Sequence, residues 1–488
     1  MKKIIYFAAV LFTTAVLSSC EEEIVYATAD VVAPQTVTNV DFGAKGGSVT
    51  FNVAIDPALT ATYTATGSNV TITNPTGSVS GSTVTVNFDA GTAAGAASIT
   101  LTVTDSQGKK DEATAVVSIG QEVKEVLLTN NITTNTTWSA SKTYILGGRI
   151  TVVSGVTLTI EPGTVIKGQA GTGANATALL VARGAKINAA GTAALPIIFT
   201  SVADEITNAD LKAGKYASPN LSNDVNGLWG GVIILGKAKI SASNSADKTD
   251  KSEVQIEGIP TSDSNGLYGG TDDTDNSGVL KYVSIRHGGA NIGSGNEING
   301  LTLGGVGNGT VIENIEIVAN QDDGIEWFGG SVNVKNVVVW NVGDDAIDTD
   351  QSWSGTLDNF VVVTPAGHCF ELDGPEGSYV AAHTIQNGTI IASIGTKVAE
   401  DLINVDANSG VTLKNLFFTG IAATNKVNRV TAPNVFFENI EFNVAEADLQ
   451  NYITGAVPAG IKAGKTQKAN IANFGWTWAN ESIQALLK

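Results

Sequence analysis

The chain has 488 residues, with 47 acidic against 28 basic side chains and a formal charge of −19. Such a surface repels phosphate backbones, which excludes nucleic acid as a partner and favours cations and neutral or cationic ligands. With 54 Gly, 11 Pro and one Met, the composition fits β-structure with tight turns, in a chain long enough to bury a large core.

At the N-terminus, Lys2 and Lys3 precede an apolar stretch from Ile4 to Val16, followed by Leu17-Ser18-Ser19-Cys20. The apolar run is too short for a spanning helix and has the layout of a signal peptide. Leu-Ser-Ser-Cys resembles the bacterial lipobox, which implies that residues 1–20 form a lipoprotein signal segment with lipidation at Cys20. Lipidated Cys20 would leave Cys369 without an intrachain disulfide partner. The following Glu21, Glu22 and Glu23 resemble the acidic run of Bacteroidetes lipoproteins sent to the cell surface. On the residues alone, three like charges make an extended, solvated tether. The expected location is the outer membrane, lipid-anchored and surface-exposed. No later segment is apolar enough to span a bilayer.

Residues 21–120 are expected to hold this tether and an immunoglobulin-like β-sandwich. Polar and apolar residues alternate in Ser48-Val49-Thr50-Phe51-Asn52-Val53, in Thr83-Val84-Thr85-Val86-Asn87-Phe88 and in Ser98-Ile99-Thr100-Leu101-Thr102-Val103. Turn clusters such as Asn74-Pro75-Thr76-Gly77 separate the runs. Residues 121–130 read as a linker.

From residue 131 the pattern changes to short strands joined by glycine turns, as in Val156-Thr157-Leu158-Thr159-Ile160-Glu161-Pro162-Gly163-Thr164-Val165-Ile166 and Gly227-Leu228-Trp229-Gly230-Gly231-Val232-Ile233-Ile234. Asn314, Asn336, Asn359, Asn387, Asn415 and Asn439 each precede a short apolar strand, at spacings of 22, 23, 28, 28 and 24. A period in the low twenties fits one coil of three strands and three turns, with loops in the longer steps. Stacked coils lie about 4.8 Å apart, so these asparagines would form a hydrogen-bonded ladder. The succession over 131–445 resembles secreted right-handed parallel β-helix proteins of the pectate-lyase-like class, and uncharacterised Bacteroidetes surface lipoproteins of that architecture. The expected fold class is all-β: a sandwich followed by a right-handed parallel β-helix. Residues 446–488, with Phe474-Gly475-Trp476-Thr477-Trp478 and a short helix over 481–487, are expected to cap its far end.

On the asparagine register, Asp323, Asp345 and His368 share one column, and Glu326, Asp348 and Glu371 form a wholly acidic one. Asp350 and Asp373 align two positions further on. Carboxylates at about 4.8 Å repel, so some should hold protons or share a cation such as calcium. The bland alternative is that Asp and Gly simply make turns, which accounts for Asp322 and Asp344 better than for three stacked charges. The expected ligand-binding residues are therefore Glu326, Asp348, Asp350, Glu371 and Asp373, with a glycan or another extracellular molecule as candidate ligand.

Gln321-Asp322-Asp323-Gly324-Ile325, Gly343-Asp344-Asp345-Ala346-Ile347 and Gly367-His368-Cys369-Phe370 resemble the catalytic coils of polygalacturonase-type hydrolases. The resemblance implies an inverting glycoside hydrolase. Asp344 or Asp345 would be the general acid, Asp323 and the remaining aspartate would activate water, and His368 would orient the acid. The Arg-x-Lys pair that holds a substrate carboxylate in that family is replaced here by Glu400-Asp401-Leu402-Ile403-Asn404-Val405-Asp406. A third reading is a structural adhesin or spacer with solvated acids. Elsewhere, the acidic loop Tyr268 to Asn276 lacks the terminal Glu of a twelve-residue calcium loop. His287 and His383 show no zinc spacing, and Gly304 to Gly309 lies between β-runs, which argues against a phosphate cradle.

Overall fold

A computed structural model describes residues 24–487 apart from 245–246 and 293–297. The signal segment, Cys20 and the Glu21–Glu23 run lie outside the described residues. The chain divides into two compact units between Val123 and Lys124. No helix among the described residues is long and apolar enough to cross a membrane.

The first unit is a two-sheet β-sandwich. One sheet pairs Asp30–Val32, Gly47–Ala54, Thr83–Ala90 and Val70–Ile72. The other pairs Thr38–Val40, Lys110–Ile119, Gly95–Asp105, Ala61–Ser68 and Thr76–Ser78. The alternation seen in the sequence sets the inner faces: Val49, Phe51 and Val53 meet Val84, Val86, Phe88, Ile99, Leu101 and Val103 in one core, as period-2 side chains must when one face is buried.

The second unit is a parallel β-helix. Its long sheet stacks Gly278–Arg286, Val311–Val318, Val334–Trp340, Thr356–Val363, His383–Ile391 and Val411–Thr419 in register. Each of these strands bends once, at a residue with left-handed backbone: Tyr282, then Asn314, Asn336, Asn359, Asn387 and Asn415, with φ between 51° and 61°. Asparagine tolerates this conformation better than most residues, and its amide can bond to the coil below. The expected ladder forms. Asn336 donates to Asn314 at 3.1 Å, Asn359 to Asn336 at 2.7 Å, Asn415 to Asn387 at 2.6 Å and Asn439 to Asn415 at 2.9 Å. It breaks once, where Asn387 donates instead to the Asp358 carboxylate at 2.6 Å.

A second sheet closes the coils: Arg149–Val152, Ala178–Val181, Val232–Leu235, Leu301–Gly304, Ile325–Phe328, Ile347–Asp350, Glu371–Leu372 and Asn404–Val405. Inside, aromatic rings pack on one another: Trp327 stacks on Trp353 with ring centroids 4.6 Å apart, and Phe360, Phe370, Phe418 and Phe442 meet in succession, edge-on or tilted. Trp229 is also fully buried. These indoles are core, and none of the three presents a sugar platform.

Two boundaries differ from the sequence reading. Within the expected linker, Glu125–Leu128 is a strand paired with Thr143–Leu146, because the first coil's open edge needs a partner. At the other terminus, Ile461–Ala463 still adds to the long sheet. Beyond it the chain folds back along the outer face of that sheet rather than capping its end. Phe474, Ala479 and Ile483 cover Val318, Val338, Trp340, Val361, Val363 and Ile391. That apolar stripe would otherwise face water. The buried Glu316, paired with Arg286 at 3.2 Å, accepts the Ala479 N–H at 2.9 Å and anchors the return.

The bend and the ladder can be separated by substitution. Asn336→Ala removes hydrogen bonds and puts a left-handed φ on a residue that disfavours it, an expected cost of about 2–3 kcal/mol. Asn336→Gly keeps the φ and is expected to cost about 1 kcal/mol less. Urea unfolding of both variants measures the gap, and equal losses would show that the backbone conformation contributes nothing.

Candidate functional site

The second sheet's outer surface changes character along the helix. Over its early strands, Leu180, Ile233 and Leu235 are covered by an insertion that brings Ile240, Ile256 and Tyr268 down onto them. The cover ends at Phe328, where the Tyr268 hydroxyl meets the Gln351 side chain at 2.9 Å. Beyond that point the outward positions are acidic.

The register places Thr302 beside Glu326, Glu326 beside Asp348, Asp348 beside Glu371 and Glu371 beside Asn404. Ile325 and Ile347 point inward and are fully buried, as does Phe370, so the pleat turns the three carboxylates outward. A second row runs along the preceding corner. The Asp345 N–H donates to Asp323 at 2.9 Å, and the His368 N–H donates to the Asp345 carboxylate. His368 Nδ1 lies 3.0 Å from the same Asp345 oxygen, and its Nε2 lies 3.3 Å from the Asn404 amide.

These rows hold three groups of acidic and imidazole side chains whose ligand atoms lie within 4.8 Å of one another: Asp323 with Glu326 and Asp348, Asp345 with His368 and Glu371, and Asp322 with Asp323 and Asp344. Asp344 is exposed, and Asp322, Asp348, His368, Glu371, Asp350 and Asp373 are partly so. Asp323, Glu326 and Asp345 are buried, at 7%, 7% and 2% exposure.

Burial and mutual repulsion push most of these groups toward the neutral form. Burial, then the neighbouring Asp348 and Asp322, hold Asp323 well above the usual carboxylate range; burial and Asp323 do the same for Glu326. Asp348 is raised by burial and by Glu326 and Glu371 on either side. Glu371 is pushed up to about 8 by its hydrogen bond to Asp345 and by burial, Asp350 to about 7 by burial and Glu376, and Asp373 to about 6 by burial and Asp406. Asp345 goes the other way. Burial opposes its ionisation, but hydrogen bonds from His368 and Glu371 outweigh that and hold it below the usual range. For His368 burial disfavours the imidazolium, yet the Asp345 carboxylate outweighs it and raises the ring to about 9. Near neutral pH these directions favour an ionised Asp345 between an imidazolium at His368 and a neutral Glu371.

This arrangement bears on each residue singled out from the sequence. Asp345 and His368 stand together. Asp344 sits outside, with Asp322 and Asp323. Asp323, buried and engaged by the Asp345 N–H, is poorly placed to activate water. Three residues of the site left no usable signal in the sequence. Asn299, 1% exposed, donates to Glu326 from a turn one coil earlier. Glu376 reaches Asp350 from a loop outside the repeat. Arg429, which itself has a left-handed φ of 52°, donates to Asn404 Oδ1 at 2.9 Å and faces Asp406 at 3.8 Å. Arg429 supplies a cation beyond the acidic column, one coil later than the segment 400–406 that lacks one.

The remaining candidates are structural. Asp272 accepts from Thr274, Asp273 pairs with Lys239 at 2.9 Å, and Asp275 accepts the Lys237 N–H, so the acidic loop is held by its own bonds. His383 is buried against Trp353 and lowered to about 3 by burial.

A divalent cation can be tested against these donors. Among the buried oxygens of the described residues without a hydrogen-bond partner are two from residues of this face, Asp348 Oδ1 and Asn299 Oδ1. Asp323, Glu326 and Asp348 bring carboxylate oxygens within 4.8 Å of one another, an all-oxygen donor set of the kind hard cations take. The residues present therefore fit a calcium-like ion.

Carboxyls raised in the folded state lower stability once they ionise. Their stabilising contribution is present below about pH 4, where they are protonated folded and unfolded, and is lost as pH rises through about 6 to 8. In chelator, the melting temperature of the β-helix is expected to fall between pH 5.5 and 8.5, and Glu371→Gln to flatten that fall. Thermal unfolding across this range is the check, and an unchanged slope in the variant would count against the shared proton.

A model of the pectate-lyase like beta helix domain matches residues 130–214 and 217–480. No curated protein matches the sequence. Among solved structures, the family 28 exopolygalacturonase of Yersinia enterocolitica aligns over 84% of this chain and 92% of its own, at 12% identity and a TM-score of 0.16. Pectate lyase Pel3 of Pectobacterium carotovorum aligns over 90% and 97%, at 9% identity and a TM-score of 0.14. WR4, a C. elegans MSP family member, aligns over 20% and 100%, at 10% identity and a TM-score of 0.15. Scores this low carry no weight. The family match spans most of the chain and agrees with the stacked parallel sheets: the chain belongs to the pectate-lyase-like β-helix family.

Proposed function

We propose that this chain is a surface lipoprotein, anchored through Cys20, that binds an extracellular glycan on the acidic face of its β-helix with a divalent cation. The observation that carries the reading is the in-register column Glu326–Asp348–Glu371, with an orphaned Asp348 oxygen beneath it. Nothing in a β-helix turn requires three stacked carboxyls, and holding them together costs stability unless protons or a cation offset the repulsion. A bound cation would neutralise the column and accept sugar hydroxyl oxygens. Asp323, Glu326 and Asp348 would hold it, with Asn299 donating to Glu326 from behind. Glu371, Asp350 and Asp373, partly exposed along the same trough, would receive hydroxyls directly. Carboxylates accept such bonds bidentately. Arg429 at the end of the column would meet an anionic substituent.

One observation favours hydrolysis as a second reading. Asp345 and Glu371 touch, yet their surroundings drive their protonation in opposite directions, which is how a fold separates a base from an acid. Asp345 would be the base, Glu371 the acid and His368 the orienting group, a different division of labour from that implied by the sequence resemblance. Because the two carboxyls are hydrogen-bonded here and a glycosidic bond is flanked by carboxyls about 5 Å or more apart, this reading requires substrate to part them.

The test is a glycan array probed with the full-length chain, in calcium and in chelator, with oligosaccharide release measured in parallel. Binding in calcium that chelator abolishes, and that Asp348→Asn/Glu371→Gln lowers at least about tenfold, is the expected result. Product release that Asp345→Asn removes would establish the hydrolase instead. Silence on every glycan in calcium would sink both readings and leave a spacer.

A further inference from the structure

A second depression lies on the other side of the corner from the acidic columns. Trp340 ends its strand on the long sheet, and Asn341 turns the corner with a left-handed φ of 54°. Three segments longer than a bare coil requires meet outside this point. They are the loop 202–231, the hairpin of Ser393–Ile394 and Lys397–Val398, and the returning tail with its helix Asn480–Leu486. Between them are cavities of about 510 and 660 Å³ whose walls share Asn223, Trp340 and Ser482. A third, of about 290 Å³, shares Asn341, Thr364 and Lys397 with the first and extends the depression toward Gly343. In solenoids, insertions gather on one face, which is often where ligand binds.

The lining chemistry is unlike that of the acidic sheet. Trp478 stands edge-on to Trp340, centroids 6.1 Å apart. Thr364 donates to Asn341 at 2.6 Å, and Asn341 donates to the Asn223 carbonyl at 2.9 Å and its side-chain oxygen at 3.1 Å. This chain of bonds fixes the amides in place before any ligand arrives. The nearby charges are largely matched, with Lys397 on Asp224 at 3.2 Å and Lys215 on Asp210 at 3.9 Å. The partly exposed Trp478 supplies indole surface, and buried Trp340 backs the wall. With preset amides, hydroxyls and near-neutral electrostatics they complement a sugar ring, apolar on its C–H face and hydroxylated at its edge. A polyanion would find no open cationic clamp, and an apolar peptide would find only Ile394, Val398 and Leu486 at the rim.

We propose that this groove is a separate binding site for a neutral oligosaccharide, independent of the cation and of the acidic face. Ser482 and Thr396 line it without belonging to the core, so Ser482→Trp and Thr396→Trp fill the space and leave the fold intact.

The experiment is isothermal titration of the full-length chain, in chelator, with a panel of neutral hexasaccharides beginning with the cello-, xylo- and laminari- series. At least one is expected to bind, with affinity falling about tenfold or more in each filling variant. Affinity should be unchanged in Asp348→Asn/Glu371→Gln. The proposal is overturned if no member of the panel binds, if binding survives both fillings, or if it is lost with the acidic-face variant while the fillings leave it intact. Because chelator is present throughout, failure of the cation-dependent reading leaves this result untouched, and the reverse also holds.

Discussion

Each coil of the β-helix sits about 4.8 Å above the one below, and that spacing puts every residue under its own equivalent in the next coil. Inside, the constraint is favourable, since apolar residues lie on apolar ones, as Ile325 on Ile347, Ile312 on Val334 and Phe418 on Phe442. At the bends it is favourable again, because one asparagine amide both donates to and accepts from its neighbours. On the outer face of the second sheet the same spacing is unfavourable, since Glu326, Asp348 and Glu371 cannot all be ionised so close together. The site follows from the rule that builds the fold, applied to residues that repel.

The response is uneven, and its unevenness is chemically informative. Most carboxyls in the column are driven toward the neutral form. Asp345 alone is held ionised, because the His368 ring and N–H and the Glu371 carboxyl all converge on it. The face therefore presents one fixed anion at the corner and a row of groups that ionise readily only when a cation takes the place of their protons. A ligand carrying or recruiting such a cation gains interactions there that a bare anionic polymer does not.

Much of this was legible because a repeat exposes register. The asparagine spacing alone aligns Asp323 with Asp345 and His368, and Glu326 with Asp348 and Glu371; hydrogen bonds join the first set and strand pairing the second. What sequence could not carry was anything that leaves the repeat. Between Asn359 and Asn387 the ladder passes to Asp358, whereas the equally long step from Asn387 to Asn415 keeps it. Glu376 and Arg429 reach the face from irregular segments. The tail reads as an end cap because it is aromatic and terminal, but the stripe Val318, Val338, Val361 and Val363 lies on the outer side of the long sheet, and covering it removes that apolar surface from water. The strand Glu125–Leu128 reads as linker because four residues carry too little periodicity to declare a partner.

The claim on which the functional reading rests is that these carboxyls hold protons which a cation displaces. Calcium titration of the full-length chain at pH 7, by calorimetry in two buffers of different ionisation enthalpy, counts the protons released. Release of about one proton or more per ion, lost in Asp348→Asn/Glu371→Gln, is the expected result. Binding with no proton release, or release that persists in that variant, would contradict it.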